Sequence, residues 1–537
     1  MTKTGILKTK TPGEMLQLIK VALGEEKADM AIVNANIVNV YTGEILEDHA
    51  ISVIGKWIAY VGKNVADAIG PQTEVIDAAG QTVIPGLIDG HTHIAWLFTA
   101  AEFLRYAITG GTTTIVTETL EPYPVSGYNG VIDFLESLRD QPIKILATAP
   151  AMVSISKAAR GVSPEDLANL LARDDVIGLG ESYWQSILQE SEPMLSNFEQ
   201  TLKAGKTLEG HSAGASDKKL AAYVAAGISS CHEPINAEQV LERLRLGLHI
   251  LVREGSIRRD LEEIAKIKDI GIDLRRLILS TDGIEPRDLL EKGYMEFVLQ
   301  KAIDCGFDPI TAVQMATLNV AEHFSLDSLI GGIAPGRYAD LVIIPNVRTI
   351  DAKLVISNGK VIAREGKLIA TPRRHTFTAQ SLNSVRLPGR MKPSDFIINA
   401  SLDATEVQVR AIHMVTDLVT AELKMKWPVT AGELIADANQ DVVKVAAIDR
   451  THNPGKMAVG LIKGLGLKSG AMACSASWDA SDIIVVGTDD EDMAAAVNRI
   501  YKLQGAAVVC EKGEILAELP LPIFGIMSEL SIEAIAE

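Results

Sequence analysis

The chain predicts an α/β protein made of a (β/α)8 barrel of the TIM type, a small composite β-sandwich domain, and a separate C-terminal α/β domain. Three observations carry this. Eight short β-rich runs alternate with helical stretches at intervals of roughly 20–35 residues, as βα units require. Two stretches of another style, short strands broken by glycine turns, flank these repeats. With 537 residues the chain exceeds what one core organises, so it must divide into several domains.

Composition narrows the class. Hydrophobic residues at 47% and charged residues at 22% belong to a folded globular chain rather than a disordered one. A formal net charge of −18 opposes binding to nucleic acid or to an anionic membrane surface, which leaves small molecules as the expected ligands. The four cysteines (Cys231, Cys305, Cys474, Cys510) form no Cys-x-x-Cys pair, so neither a disulfide framework nor a thiolate zinc site is suggested, and a reducing compartment fits. The polar start from Met1 to Pro12 carries no apolar run with a cleavage site. No stretch is apolar for long enough to span a membrane, and a cytoplasmic protein is expected.

Taken in order, residues 1–28 contain a short amphipathic helix over Gly13 to Leu23, with Met15, Leu16, Ile19, Ala22 and Leu23 expected to dock on the body. Residues 29–83 read as short strands. Residues 330–369 share that style, with Asn358-Gly359 as a hairpin signal, and the two stretches are expected to pair into one small β domain with the barrel, 84–329, inserted between them. Residues 370–392, rich in Arg, Ser, Thr and Pro, read as a linker, and 393–537 as the C-terminal α/β domain. Within that domain the glycines of 463–470 lack the Gly-Lys-Ser/Thr ending of a phosphate loop and are read as tight-turn residues, and Asp489 to Asp492 as a helix N-terminus.

The expected barrel strands are Val83–Ile88, Thr113–Thr117, Ile143–Ala149, Val176–Leu179, Lys206–Leu208, Ile228–Ser230, Leu248–Val252 and Leu277–Ser280. Chemistry in such barrels sits at the carboxyl ends of the strands. Just beyond these strands lie His91 and His93, Glu118, Pro150, Glu181, His211, His232, Arg253 with Glu254, and Asp282. Four of the chain's ten histidines therefore fall at strand ends, which chance does not explain. His49, His249, His323, His375, His413 and His452 have no such placement and read as ordinary surface or core residues. Glu118 and Arg253 are read equally as site residues or as salt-bridged rim residues.

Imidazoles with carboxylates are ligands for zinc, manganese or iron, and a carboxylate such as Glu181 can bridge two ions while histidines hold each. His91, His93, Glu181, His211, His232 and Asp282 suffice for a two-metal site. Two ions bridged by a water yield a metal-bound hydroxide near neutral pH, a nucleophile for hydrolysis. Asp282 can take the water's proton and return it to the leaving group.

Several motifs carry a family resemblance: Pro85-Gly86-Leu87-Ile88-Asp89-Gly90-His91-Thr92-His93, Gly178-Leu179-Gly180-Glu181, Gly210-His211-Ser212-Ala213-Gly214, Cys231-His232-Glu233, Arg253-Glu254-Gly255-Ser256 and Met315-Ala316-Thr317-Leu318-Asn319. Together with Gly487-Thr488-Asp489-Asp490-Glu491-Asp492-Met493 and Leu519-Pro520-Leu521-Pro522-Ile523, they resemble the adenine deaminase family of the amidohydrolase superfamily over nearly the full length. The resemblance implies a metal-dependent hydrolase that acts on a purine base and converts adenine to hypoxanthine and ammonia. It implies two divalent ions, manganese or iron, with zinc as a further candidate; the six residues above as ligands; Asp282 as proton carrier; and Glu233 as a proton shuttle on the base. A homo-oligomer is expected. Three segments depart from the family pattern: Ile94-Ala95-Trp96-Leu97 where it has Ile-Glu-Ser-Ser, Thr117 to Pro122 where it has Asp-Pro-His-Glu, and Trp478-Asp479-Ala480-Ser481-Asp482 where it has His-Asp-Ser-His-Asn. They leave room for another aminated heterocycle or a cyclic amide as substrate, or for a non-catalytic metal-binding paralogue.

Overall fold

The computed structural model describes residues 6–151, 161–189, 191–416, 419–477 and 481–537. Eight parallel strands form a barrel: β1 (Leu87–Thr92), β2 (Thr112–Thr117), β3 (Lys144–Ala149), β4 (Val176–Tyr183), β5 (Thr207–His211), β6 (Ser230–Cys231), β7 (His249–Arg253) and β8 (Leu277–Ser280). Strands β1 to β5 pair in sequence, as do β6 to β8. The two arcs meet where the Ser229 N–H donates to the Leu208 carbonyl (3.0 Å). On the other side the Asp282 N–H donates to the His91 carbonyl (3.0 Å) and the His93 N–H to the Asp282 carbonyl (2.7 Å). Every residue of β1, β2 and β3 is buried, as expected for parallel strands covered on both faces.

The run expected as one strand, Val83 to Ile88, is two. Thr82–Pro85 pairs antiparallel with Leu341–Ile344 in the small domain, and β1 begins only at Leu87. The chain changes partners at Gly86, whose N–H donates to the Asp340 carbonyl (2.9 Å) while the Leu87 N–H donates to Gly111 (3.0 Å). A Cβ at Gly86 would overlap the Thr113 side chain, so only glycine allows the crossing.

The small domain is a single nine-stranded sheet drawn from both flanks of the barrel, Met30–Asn39 to Thr82–Pro85 on one side and Leu341–Ile344 to Lys367–Leu368 on the other. Asn358 and Gly359 both take positive φ (51° and 72°) and close a two-residue hairpin between Ser357 and Lys360. Lys144, at the start of β3, reaches out of the barrel to both carboxylate oxygens of Asp340 (2.7 and 2.8 Å), a buried tie between the two domains.

Two expectations change. The N-terminal helix, Pro12–Ala22, is held by a capping box between Thr11 and Glu14, but it buries Leu18 and Val21 and leaves Met15, Leu16, Ile19 and Leu23 exposed. Its orientation is set by the sheet: Glu14 accepts from the Trp57 indole (3.1 Å), and Leu18 and Val21 pack with Ile54, Trp57 and Ala59. The segment 370–392, expected as a linker, is packed along its length. Phe377 joins the barrel core, Val385, Leu387 and Met391 join the C-terminal core, and Asp133 accepts from Thr378 N–H and Oγ1 (2.9 and 2.8 Å).

The C-terminal domain is an eight-stranded sheet over Glu406 to Pro520, with the helix Asp490–Leu503 on one face. Asp489 caps that helix, its carboxylate accepting from the N–H groups of Glu491 and Asp492 (2.9 and 3.0 Å). Gly464, Gly466 and Gly470 all have positive φ, as turn residues do. The end of the chain returns to the barrel: Leu521, Ile523, Phe524, Ile526, Met527 and Ile532 belong to its core. Among the described residues, no helix is long and apolar enough to cross a membrane.

Candidate metal centre

Period-two alternation sends His91 and His93 to the same side of the β1 end, where the barrel presents its other strand-end residues. Two donor groups form there: His91, His93, Glu181 and Asp282, and Glu181, His211 and His232, the donor atoms of each lying within 4.8 Å of one another. Glu181 belongs to both. Its Oε1 faces His91 Nε2 (3.4 Å), His93 Nε2 (3.3 Å) and His232 Nε2 (3.4 Å), and its Oε2 faces His211 Nδ1 (3.3 Å). Asp282 Oδ1 lies 3.3 Å from His91 Nε2 and 3.4 Å from His93 Nε2. All are buried except His211, which is half-buried under the stacked ring of Tyr183 (4.0 Å between centroids).

Burial by itself would raise Glu181 and Asp282. It is outweighed for Glu181 by the imidazoles of His211, His232 and His91, and for Asp282 by His91, His93 and Arg253, so both stay well below the usual carboxylate range. Arg253 Nη1 donates to Glu233 Oε1 (2.6 Å) and to Asp282 Oδ2 (3.3 Å), tying the two expected proton carriers to one guanidinium. Glu233 Oε1 also lies 3.3 Å from His232 Nε2. Beneath the centre, Asp89 accepts from the hydroxyls of Thr281 (2.5 Å) and Tyr294 (2.6 Å), and burial pushes its carboxyl up to about 6.

The six expected ligands and Glu233 therefore converge, and Arg253 and Glu118 face this cluster rather than the rim. Glu121 was missed. It sits in the 117–122 segment, read only as a departure, yet its Oε1 pairs closely with His93 Nδ1. The Glu-x-x-Glu spacing from Glu118 to Glu121 at a strand end was the available signal. His323 is buried, as a core residue, and its Nε2 meets both oxygens of Glu209 (3.0 and 2.9 Å). Burial, which raises Glu209, is outweighed there by His323, and the carboxyl is held down to about 2.

The amidohydrolase family model matches residues 82–362, and the adenine deaminase C-terminal domain model matches residues 417–537. An adenine deaminase of Clostridium botulinum (strain Langeland / NCTC 10281 / Type F) is 35% identical over 529 residues, covering 97% of this chain and 88% of that protein. One of Moorella thermoacetica is 36% identical over the same shares. The chain belongs to the adenine deaminase family. Among solved structures, N-acetylglucosamine-6-phosphate deacetylase from Pasteurella multocida shares the fold, with a TM-score of 0.51 at 16% identity, covering 62% of this chain and all of that one.

The departing segments find different uses. Ile94 and Ala95 are buried in the barrel core, and Leu97, in the left-handed region (φ 64°), forms a bridge to Met527: its N–H donates to Ile526 (3.3 Å) and its carbonyl accepts from Ser528 (2.8 Å). The apolar residues after His93 thus seat the chain's C-terminal tail. Trp478, Asp479 and Ala480 lie outside the described residues; Ser481 is buried and Asp482 half-buried.

Proposed function

We propose that this chain is a metal-dependent deaminase that converts adenine and water to hypoxanthine and ammonia. The observation that carries it is Glu181, shared by two donor groups, in a chain 35–36% identical over 97% of its length to proteins named adenine deaminase. The residues fit divalent ions: among the described residues, His91 Nε2, Glu181 Oε2 and His211 Nδ1 are buried without a hydrogen-bond partner, all aimed into the cluster. On this reading His91, His93, Glu181 and Asp282 would hold one ion and Glu181, His211 and His232 a second, manganese or iron, with zinc as a third candidate. Bound ions supply the activation of water that hydrolysis needs.

The chain's own residues do the rest. Asp282, held by Arg253, accepts the proton of the attacking water and delivers it to the departing amine as the C–O bond forms and the C–N bond breaks. Glu233, beside it on Arg253, is placed to move a proton on the ring of the base.

The test is metal-stripped protein reloaded with manganese and assayed for ammonia release from adenine. Turnover is expected. Bound manganese without turnover of adenine overturns the substrate, and turnover of a pterin or cyclic amide instead would name its replacement.

A further inference from the structure

We propose that Glu118 and Glu121 are positioning residues that present His91 and His93 to the metal centre. The proposal rests on reading the cluster as a divalent-metal site. Each histidine turns Nε2 toward Glu181 and Asp282 and Nδ1 the opposite way. Behind His93 the Nδ1 meets Glu121 Oε1, and behind His91 the Nδ1 faces Glu118 Oε1 at 3.5 Å. The two carboxylates are 1% and 7% exposed, and in each the second oxygen, Oε2, is buried without a partner among the described residues. Among the described residues neither pairs with a lysine or arginine, so neither is a buried salt bridge; each carboxylate is directed at one imidazole.

A carboxylate behind Nδ1 holds the proton there, which fixes the tautomer that leaves the Nε2 lone pair free for a cation and prevents the ring from flipping. The backbone makes this support rigid. The Glu118 N–H donates to the Thr92 carbonyl (2.9 Å), the Ile94 N–H to Thr117 Oγ1 (3.1 Å), and Thr119 Oγ1 to the Thr148 carbonyl (2.6 Å), so the loop after β2 is pinned to β1 and β3. Gly180 abuts Glu118 Oε2, where a Cβ would overlap it; the strand carrying Glu181 thus also fixes Glu118. One loop thus supplies a carboxylate behind each histidine of the pair.

The experiment is a manganese titration of the metal-stripped full-length protein, with free Mn2+ read by electron paramagnetic resonance, for the wild type, E118Q, E121Q and E121D. Removing such a support weakens metal binding by roughly 10–100-fold. E118Q and E121Q are expected to raise the Kd for Mn2+ by that factor, E121D to recover part of the loss, and the thermal midpoints of the metal-free proteins to stay together. Wild-type and variant Kd values that coincide overturn the proposal, as does an affinity loss that tracks a lowered metal-free midpoint and is not recovered in E121D. A wild type that binds no manganese overturns the metal-site reading itself, a distinct result. If E121Q does not fold, E118Q, which faces only His91, carries the same test.

Discussion

Lys144→Met removes the ammonium from the tie between barrel and small domain. Lys144 and Asp340 are 2% and 6% exposed at 2.7 and 2.8 Å, so neither charge has bulk water to fall back on. With the lysine gone, Asp340 retains the Asn358 N–H (2.9 Å) as a donor but faces no cation at that distance among the described residues. Breaking one side of a buried ion pair costs about 3–5 kcal/mol, because it strands the remaining charge. For a unit of barrel size, at about 2–4 °C per kcal/mol, the midpoint should fall by roughly 6–20 °C. Thermal unfolding followed by tryptophan fluorescence suits the site: Trp57 packs on Tyr338 (4.4 Å between centroids), whose ring lies 4.6 Å from Lys144 Nζ. The double variant K144M/D340N should recover most of the loss, since it removes the stranded charge. A single variant within about 1 kcal/mol of wild type, the range of exposed pairs, would refute the reasoning, and so would a double variant no more stable than the single.

Asp282→Asn should lower kcat/KM for adenine by roughly 10²–10⁴-fold, the usual contribution of a positioned acid–base group; an ammonia assay within tenfold of wild type would remove Asp282 as proton carrier. Stripping the metal should lower the thermal midpoint as well as abolish activity, since a ligand at a hundred times its Kd adds about 2.7 kcal/mol; identical melts with and without manganese would argue against a folded-state metal site. Glu296 accepts from the Tyr294 N–H (3.0 Å), has a buried Oε2 without a partner among the described residues, and is pushed by burial from 4.5 up to about 7. The native state then binds more protons than the unfolded one between these values, so stability should decline as pH rises from about 4.5 to 7 and level off above. Glu296→Gln should flatten that slope and be the more stable protein at pH 8, as read from urea midpoints at pH 5 and 8. Asp489→Ala should cost about 0.5–2 kcal/mol through loss of the helix cap, measured by the same denaturation.

Much of the site was legible because barrel chemistry gathers at strand ends and strand ends can be read from short β-branched runs. His91, His93, Glu181, His211, His232 and Asp282 each follow such a run. Glu121 was hidden because it lies past the strand, in a loop whose course no periodicity describes. Only the hydrogen bonds of Glu118, Thr119 and Ile94 to β1, β2 and β3 bring it behind His93. Arg253 was ambiguous for a related reason: a charged strand end can face the rim or the centre, and the pairing with Glu233 and Asp282 decides between them.

By itself the amino-acid sequence determined the alternation of strands and helices, the flanking β segments, the capped helix at Asp489 and the family, since each depends on neighbours within a few residues or on motifs read in line. Tertiary structure alone decided which face of the N-terminal helix is buried, where Gly86 hands the chain from one sheet to the other, that the 370–392 strap is packed, and that the tail from Leu521 seats on Leu97. These choices are made by partners tens to hundreds of residues away, which local pattern does not contain.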